Sequence, residues 1–355
     1  MVLTINMKVL FVPNWEIQHV VKFDEEIPIA NQSIQGHNYW FFKYWPIKNL
    51  HVDILDIKPN SIFSRIEKKL KIHIFQSIKV LLTMKNYDLI IAHSANSGLG
   101  IAILKRILGI KKPPLILIDI GSLNGGNENS LEISILNQIV DGIDWSIYHS
   151  SIIGEFYRRH FPKLWKRSSL VYFGVDPEFF KPIDNSRDDY ILSIGYAKRD
   201  WNLLLESAKR IDYKIIILGV NKNDFSNIPK NIKLINKIPI NQLKRYINNA
   251  QFIILPITNE KYSVGQTTLL ICMSMGKTII STNVPGIVDY IKNNKTGILL
   301  PQNSISTLIN TINTMIHHPQ LLNTIGDDAR KTIITTYNEE QFSRSFFKLI
   351  NDNIL

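Results

Sequence analysis

Residues 255–290 read LPITNEKYSVGQTTLLICMSMGKTIISTNVPGIVDY, and this stretch decides the fold. A strand-like apolar run ends at Pro256, and a polar loop with a single glycine, Gly265, follows it. Residues 267–275 carry apolar side chains all round, as expected of a buried helix, and a glycine ends the run. A second apolar run, 278–281, comes next. The order strand, loop, helix, strand is typical of an open α/β sheet.

The loop 262–268 is a candidate cradle for a diphosphate. In an open parallel sheet, ligands collect beyond the carboxyl ends of the strands. A helix N-terminus at that edge offers N–H groups and a positive dipole end to an anion. Taken alone, however, such a loop is more often an ordinary connection whose glycine supplies backbone freedom. The functional interpretation therefore depends on the rest of the chain.

Length and composition indicate a globular protein of two domains. The chain has 355 residues, more than one core usually serves. Its 45% hydrophobic and 20% charged residues argue against disorder. The single cysteine, Cys272, falls inside the predicted buried helix, so a disulfide framework is excluded and a reducing compartment is favoured. No apolar run reaches membrane-spanning length, and we expect a cytoplasmic protein.

The positive charge is spread over the whole chain. The net charge is +11, and residues 1–182 hold 21 basic and 16 acidic residues against 20 and 14 in the remainder. A diffuse excess suits anionic ligands, an anionic membrane surface or nucleic acid. Because no concentrated basic stripe or nucleic-acid motif is present, we expect no nucleic-acid partner. Residues 62–84 predict a basic amphipathic helix, which suits either peripheral contact at the inner membrane face or a solvated lysine-bearing face.

Strands and helices alternate twice along the chain. Apolar runs typical of buried strands occur at 9–12, 51–55, 89–92, 115–118 and 144–150, and the alternation restarts with strands at 190–194, 214–218, 233–234 and 252–255. This pattern predicts two doubly wound, Rossmann-like α/β domains that face one another across a central cleft. We place the domain boundary after residue 182, at the start of the polar stretch 184–189.

Polar side chains close several strands of the first half. His93, Asp119 and His149 stand at or just after predicted strand ends, where binding groups of α/β sheets lie. A histidine can equally cap or fill structure, whereas a carboxylate that closes an apolar strand needs a partner or a ligand. Asn96 follows the same predicted strand end as His93, and Trp15 follows the end of the first predicted strand. Together with His149 they are the acceptor-side candidates.

The second half resembles a known family through a succession of motifs. The motifs, in chain order, are SIGYAKRDWNLLLESA at 193–208, ILG at 217–219, IPINQL at 238–243, LLICMSMGKTII at 269–280, and VPGIVDY at 284–290 followed by TGIL at 296–299. Together they resemble the retaining GT-B glycosyltransferases of glycosyltransferase family 4. The element FGVD at 173–176 is similar to the segment that precedes the hinge of these enzymes, with Phe173 in place of an asparagine.

The resemblance implies an activity and a donor site. It implies transfer of a sugar from a nucleotide-sugar donor, with retention of configuration and without a metal or other cofactor; a UDP-sugar is the expected donor and a GDP-sugar the alternative. Basic side chains and a helix dipole would then stabilise the diphosphate leaving group. The donor-binding residues would be Gly195, Lys198, Arg199, Gly219, Ile238, Ser263, Val264, Gly265, Gln266 and Thr267.

The same resemblance assigns the acceptor side. A polar residue near the Asp119 strand end helps to position the acceptor or the reacting sugar in related enzymes, so we assign that catalytic role to Asp119 first and His93 second. A glycan or a lipid-linked molecule is the expected acceptor. Residues 183–335 would form the nucleotide-sugar domain, and 336–355 a C-terminal helix that crosses back to the N-terminal domain.

Two signature carboxylates of the family are missing. The family motif has two glutamates that contact the donor sugar and the ribose, and the matching positions here are Ser263 and Ile271. An isoleucine cannot hydrogen-bond a ribose. The sequence therefore leaves two alternatives open: a catalytically weak or silent nucleotide-binding or scaffold protein, and a sugar-nucleotide epimerase on the same fold.

Overall fold

The computed structural model describes residues 3–15, 41–57, 67, 70–121, 123, 128–184, 186–195, 198–221, 223, 225–236, 238–258 and 263–354. The first part of the helix expected at 62–84 and Tyr262 of the predicted cradle lie outside these residues. The chain divides into two compact units. Unit 1 comprises Met1–Tyr172 and Glu340–Leu355, and unit 2 comprises Phe173–Glu339.

Unit 1 is built on a parallel sheet. Six strands of its described residues run β2-β1-β3-β4-β5-β6 across the sheet: β1 Leu3–Val12, β2 Ile47–Ile54, β3 Leu89–His93, β4 Leu115–Asp119, β5 Trp145–Tyr148 and β6 Ser168–Leu170. Every residue of β3 and β4 is buried. This burial explains why both strands read as continuous apolar runs, because helices cover both faces of a parallel sheet.

Helices connect the strands of unit 1. They are α1 Ile74–Thr83, α2 Ala95–Ile107, α3 Ser130–Ile139, α4 Ser151–His160 and α5 Pro162–Trp165, with 3₁₀ turns at Met84–Asn86 and Val140–Gly142. Glycines let α2 pack closely on its surroundings. A Cβ at Gly98 would lie 2.7 Å from Leu117 Cδ1 of the sheet, and a Cβ at Gly100 would lie 2.2 Å from Ser77 Oγ of α1.

The prediction of one continuous helix over 62–84 is wrong. The chain leaves helical geometry at 71–73, where Lys71 has φ 53°, and α1 begins only at Ile74. The His73 N–H donates to the Asn96 carbonyl oxygen of α2 (2.8 Å) rather than to its own helix. The Glu67 carboxylate accepts a hydrogen bond from Phe75 N (2.9 Å) and satisfies a first-turn N–H group of α1. Tertiary hydrogen bonds thus interrupt the helix, although apolar side chains recur at helical spacing throughout 62–84.

Unit 2 repeats the plan with a second parallel sheet. The strands run β12-β11-β10-β7-β8-β9: β7 Ile191–Ile194, β8 Ile215–Leu218, β9 Ile232–Ile235, β10 Ile253–Leu255, β11 Ile279–Thr282 and β12 Ile298–Leu300. Its helices are α6 Trp201–Ala208, α7 Ile240–Asn249, α8 Gln266–Ser274, α9 Ile305–His317 and α10 Pro319–Thr335. The prediction of two doubly wound α/β units is confirmed.

The two units divide ten residues earlier than the boundary expected after residue 182. Val175 and Phe180 are buried in the same apolar cluster as β7, β10 and α8. Phe173 N donates to the Tyr290 hydroxyl of unit 2 (3.0 Å). The segment 173–182 therefore packs as part of unit 2. The polar stretch 184–189 that follows it had indicated a later boundary.

The last helix, α11 Glu339–Asn353, packs in unit 1. Phe342 contacts the ring of Phe41 at 5.0 Å between centroids. Phe346 contacts Trp45 at 5.7 Å. Between them, Ser343 Oγ donates to the Phe41 carbonyl oxygen (2.9 Å). Residues separated by 300 positions in the sequence thereby share one aromatic cluster.

Helix α8 is the buried centre of unit 2. Leu269, Leu270, Cys272 and Met273 are fully buried, which confirms the prediction of a helix that is apolar all round. After its end, the buried Lys277 donates to the Asn248 and Ala250 carbonyl oxygens and ties α8 to the end of α7. Burial lowers the pKa of Lys277 to about 8. Among the described residues, no helix combines the length and the apolarity that crossing a membrane needs.

Replacing Gly326 of α10 by alanine should destabilise the protein. Alanine normally stabilises a helix relative to glycine by about 1 kcal/mol. Here the new Cβ would lie 2.2 Å from the Gly276 backbone oxygen at the end of α8, and such overpacking costs about 1–3 kcal/mol. Urea unfolding of Gly326→Ala measures the effect. The control is Thr324→Ala, an exposed site on the same helix, which should change stability little; equal stability of both variants would contradict the close approach.

Candidate functional site

Two glycine turns open the candidate donor site of unit 2. Gly195 follows β7 with φ 128°, and Gly219 follows β8 with φ 90°. Both are left-handed conformations that favour glycine. Because β7 and β8 are parallel neighbours, the two turns lie side by side at the carboxyl edge of the sheet. A Cβ at Gly219 would be 3.5 Å from the Gly195 carbonyl oxygen.

The Arg199 guanidinium lies directly on this turn. Its Nε donates to the Ile194 carbonyl oxygen at the end of β7 (3.0 Å). A Cβ at Gly195 would meet Nη2 at 2.7 Å, so only glycine leaves room for the guanidinium. The Arg199 backbone forms an isolated antiparallel bridge with Ile257, just past β10. A permanent positive charge is therefore fixed where three strand ends meet.

Gly265 sets the start of α8 beside the same charge. It is the N-cap residue in left-handed geometry, with φ 83°. A Cβ there would lie 2.6 Å from Ile257 Cδ1 and 3.6 Å from Arg199 Nη1. The first turn of α8, which begins with Gln266 and the exposed Thr267, thus starts next to the guanidinium. N–H groups of a first helical turn and an arginine are both anion-binding groups.

Ser263 adds a hydroxyl to this edge, and a second turn supports it. Ser263 Oγ is buried and has no hydrogen-bond partner among the described residues. It lies where a Cβ of Gly286 would come within 2.5 Å, and Gly286 has φ 88°. Sequence reasoning did not include Gly286 in the site, although the Pro285-Gly286 dipeptide is a turn signal that could have indicated it.

The remaining donor candidates are Lys198, Ile238 and Val264. Lys198 is exposed and adopts φ 55°, and its carbonyl oxygen accepts from Thr258 N (3.2 Å). Ile238 and Val264 are half-buried and pack against the core of unit 2. All three follow strand ends at the same edge. Their contacts with a donor stay predictions.

The positions of the two missing glutamates are both neutral and neither is exposed. Ser263 is described above, and Ile271 is half-buried against the core of unit 2. A carboxylate is absent at both. If a nucleotide sugar binds at this edge, its ribose and sugar hydroxyls must meet other groups than the family pattern supplies.

Two buried histidines lie near one another in unit 1. His93 ends β3, and its Nδ1 lies 3.3 Å from Asn14 Oδ1. The rings of His93 and Trp15 pack edge to face, with their centroids 4.8 Å apart. His149 follows β5, and its Nδ1 donates to the Val171 carbonyl oxygen (2.7 Å). Burial, followed by the proximity of His149, lowers the pKa of His93 to about 3, and burial lowers that of His149 to about 4. Both imidazoles are uncharged at neutral pH.

Asp119 is held inside unit 1 by several hydrogen bonds. Its side chain has no exposure. Oδ1 accepts from Gly121 N (2.9 Å) and Leu123 N (3.4 Å), and Oδ2 accepts from the Tyr157 hydroxyl (2.8 Å). Burial and the neighbouring Asp119 raise the pKa of Tyr157 well above its ordinary value, so this hydroxyl stays a donor. The carboxylate positions the loop after β4; its predicted contact with an acceptor stays a prediction.

Asn96 and Trp15 also lie at the carboxyl edge of unit 1. Asn96 is the second residue of α2, and its N–H donates to Ser94 Oγ (3.4 Å). Trp15 follows β1 and contacts Phe11 as well as His93, with the ring centroids of Phe11 and Trp15 6.1 Å apart. All five candidates of unit 1, namely His93, Asp119, His149, Asn96 and Trp15, therefore occupy one edge of one sheet. Sequence spacing predicted this gathering because the strands are parallel.

Comparison with known proteins identifies the family. Residues 175–353 match the family model described as glycosyl transferases group 1. The chain belongs to this family. The match begins at the segment that packs into unit 2 and covers every glycine turn of the candidate donor site.

Several solved structures resemble this chain over nearly its whole length. Sucrose-phosphate synthase from Thermosynechococcus elongatus superposes with a TM-score of 0.72 at 14% identity, over 98% of this chain and 99% of that one. A glycosyltransferase from Rickettsia africae gives 0.72 at 16% identity, with the same two coverages. Anabaena Alr3699/HepE, solved in complex with UDP, gives 0.69 at 14% identity, over 98% and 100%. At such identities the likeness shows the GT-B fold of two Rossmann-like units.

Curated relatives match over a shorter length. An uncharacterized glycosyltransferase of Methanocaldococcus jannaschii is 21% identical over 179 residues, which are 47% of this chain and 49% of the relative. An uncharacterized glycosyltransferase of Haemophilus influenzae is 23% identical over 154 residues, 39% of this chain and 43% of the relative. The chain thus spans about half the length of the curated relatives it matches.

The buried histidines should make the protein sensitive to mild acid. Above pH 6.5, histidine is neutral in both the folded and the unfolded state and contributes no pH dependence. As the pH falls from 6.5 towards 4, the unfolded chain binds protons that folded His93 and His149 refuse, so stability is lost by up to about 1.4 kcal/mol per pH unit for each histidine. Urea unfolding between pH 6.5 and 4.5 measures this slope.

The slope should become shallower in His93→Gln/His149→Gln. The control is His317→Gln, which removes an exposed histidine of α9 and should leave the slope unchanged. A wild-type slope equal to that of the double variant would show that the pair takes up protons in the folded state.

Proposed function

We propose that the protein is a glycosyltransferase that moves a sugar from a nucleotide-sugar donor to a glycan or lipid-linked acceptor. A UDP-sugar is the preferred donor and a GDP-sugar the alternative. Transfer proceeds with retention of configuration, without a metal ion or other cofactor. The observation that carries the proposal is the Arg199 guanidinium, held against the Gly195 turn and beside the N-terminus of α8.

The chemistry of the leaving group explains why this arrangement suits the reaction. When the bond between the sugar carbon and the diphosphate oxygen breaks, negative charge grows on the diphosphate. A fixed guanidinium and first-turn N–H groups stabilise that charge without reorganising. Membership of the glycosyl transferases group 1 family, and a structural neighbour solved in complex with UDP, support a nucleoside diphosphate as the ligand. Retention rests on the resemblance to retaining enzymes.

The acceptor side is assigned to the carboxyl edge of unit 1. With its pKa near 3, His93 is too weak a base to hold a proton from an acceptor hydroxyl at neutral pH. We assign it the role of a neutral hydrogen-bonding group that orients a sugar hydroxyl. Asp119 acts indirectly, because its carboxylate accepts hydrogen bonds from Gly121 N and Leu123 N and so fixes the loop after β4. His149, Asn96 and Trp15 line the same edge.

A catalytically weak or silent nucleotide-binding protein is the second candidate function. The observation that favours it is the pair of neutral residues, Ser263 and Ile271, at the positions of the two family glutamates. Such a protein would keep the diphosphate cradle and bind UDP, but would not transfer sugar. Incubation with UDP-glucose, UDP-galactose and UDP-N-acetylglucosamine, followed by assay for free UDP, separates the two candidates. Nucleotide binding without UDP release beyond that of a buffer blank would favour the silent protein.

Replacing Arg199 by alanine should weaken UDP binding about 10- to 100-fold, because a charge-assisted hydrogen bond to phosphate is worth about 1.5–3 kcal/mol. Arg199→Lys should recover part of the affinity, since it keeps the charge but loses the planar fork. Isothermal titration of UDP, with uridine as a ligand that lacks phosphate, measures the effect. The affinity for UDP should fall in Arg199→Ala, whereas the affinity for uridine should not change.

Arg210→Ala is the matched control for Arg199→Ala. Arg210 is an exposed arginine of the same unit, after the end of α6, so its removal changes the net charge equally. Its UDP affinity should equal that of the wild type at 0.15 M salt. Equal affinities of Arg199→Ala and the wild type would remove Arg199 from the donor site and, with it, the observation on which the proposed function rests.

A further inference from the structure

An apolar cavity opens in unit 1 between α2, α3 and the turn that precedes α1. Its volume is about 450 Å³, within the range of small-molecule sites. Nine of its thirteen lining residues are aliphatic and none is aromatic. The aliphatic side chains that matter most are Leu70, Leu99, Leu131, Ile135 and Ile139.

The cavity gathers apolar side chains that packing leaves exposed. Leu70 is 55% exposed, Leu131 69% and Ile135 52%. Leu131 and Ile135 are four residues apart, so they lie one above the other on the same face of α3. On the core side of the same helix, Ile133 packs against the buried cluster of unit 1. Single exposed leucines are ordinary, but three around one concavity mark a binding surface.

The cavity lies at the acceptor edge of the sheet. Its α2 residues, Asn96 and Leu99, belong to the first turns of the helix that begins directly after His93 and Ser94 of the β3 strand end. Beyond the far end of α3, the chain closes on α2, since a Cβ at Gly142 would be 2.2 Å from the Ala102 carbonyl oxygen. The cavity is therefore flanked by the N-terminal half of α2 and by α3 along its length. Its α2 side lies next to the β3 strand end that carries His93.

The rim of the cavity is polar and, among the residues that the structure describes, carries one cation. Lys71 is exposed and forms no ion pair with any described residue. Asn96, Asn129 and Glu132 complete the polar rim, and Asn129 Oδ1 caps α3 by accepting from Leu131 N (2.9 Å). The ammonium group of a lysine binds phosphate as a point charge. The rim also holds the exposed carboxylate of Glu132 on α3, so the net charge of these lining residues is close to zero.

We infer that this cavity binds the hydrocarbon chain of a lipid-linked acceptor, with the phosphate that joins chain and sugar placed at Lys71. Sugar-binding surfaces offer aromatic faces and dense hydrogen-bonding groups, and this lining offers aliphatic walls instead. An aliphatic chain matches such walls through burial of apolar surface. The inference rests on the proposed function, since it specifies the acceptor as an amphiphile. It also gives the exposed apolar face of α3 an occupant.

Alkyl phosphates of increasing chain length test the inference. Butyl, octyl and dodecyl phosphate, each kept below its micelle-forming concentration, are titrated into the full chain by calorimetry. Affinity should rise by at least about tenfold from butyl to octyl phosphate, because every buried methylene adds to binding. In Leu131→Gln/Ile135→Gln this dependence on chain length should vanish. Both positions are exposed, so the variant should fold.

Leu82→Gln/Ile107→Gln is the matched control. These side chains are 77% and 74% exposed and do not line the cavity, so the control should bind octyl phosphate like the wild type. Affinity that is independent of chain length, or an equal loss in both variants, would overturn the inference. So would a wild-type dimer in sedimentation that Leu131→Gln/Ile135→Gln dissociates, because the face would then be an interface between two copies.

The stabilisation of each variant by UDP keeps the two proposals apart. Wild type and both double variants should gain the same melting-temperature shift with UDP, since these positions lie in unit 1 and the nucleotide cradle in unit 2. A UDP shift without dependence on chain length would overturn the lipid inference and leave the proposed function standing. Dependence on chain length without any UDP shift would overturn the proposed function. The cavity would then be an alkyl-phosphate site with no role as an acceptor site.

Discussion

The left-handed turn at Gly265 is the constraint on which unit 2 depends. Its φ of 83° and its contact with Ile257 admit no side chain, and together they fix where α8 begins. The buried remainder of that helix then forms the centre of the apolar core, so a shift of its start would displace the core as well. The candidate anion-binding end of the helix and the stability of the unit thus depend on the same backbone angle. The glycines at 195, 219 and 286 also have positive φ angles, and they follow strands of the same sheet.

Sequence reasoning predicted the strand ends and turns of the candidate donor edge because each element there has a strong local signal. Apolar runs of four residues mark fully buried strands such as Ile215–Leu218, and a polar loop with one glycine marks the turn before Gln266. The choice between Lys198 and Arg199 could not be made from spacing, because it depends on the hydrogen bond from Arg199 to a carbonyl oxygen five residues earlier in the chain. For Gly286, the Pro-Gly dipeptide signals a turn, but the approach of this turn to Ser263 depends on the fold and not on spacing.

The acceptor edge shows where such reasoning stops. Parallel strands predicted that His93, Asp119 and His149 would share one edge, and the structure places them there. Their protonation and their partners depend on burial and on residues that are distant in sequence, such as Tyr157 for Asp119. In the same way, the periodicity of 62–84 carried no sign of the break at Lys71, and the short edge strand Ser168–Leu170 is too polar to be recognised. Tertiary hydrogen bonds, not local propensity, decide these features.

The place of the last helix has a consequence for biosynthesis. Phe41 and Trp45 emerge from the ribosome about 300 residues before Phe342 and Phe346, whose rings pack against them. At about 5–20 residues per second, the intervening chain takes roughly 15–60 s to synthesise. During that interval, the aromatic cluster of the nascent first unit lacks its cover and offers a surface for chaperones, while the second unit can already fold. Unit 1 is therefore expected to complete its aromatic cluster only after unit 2 has been synthesised.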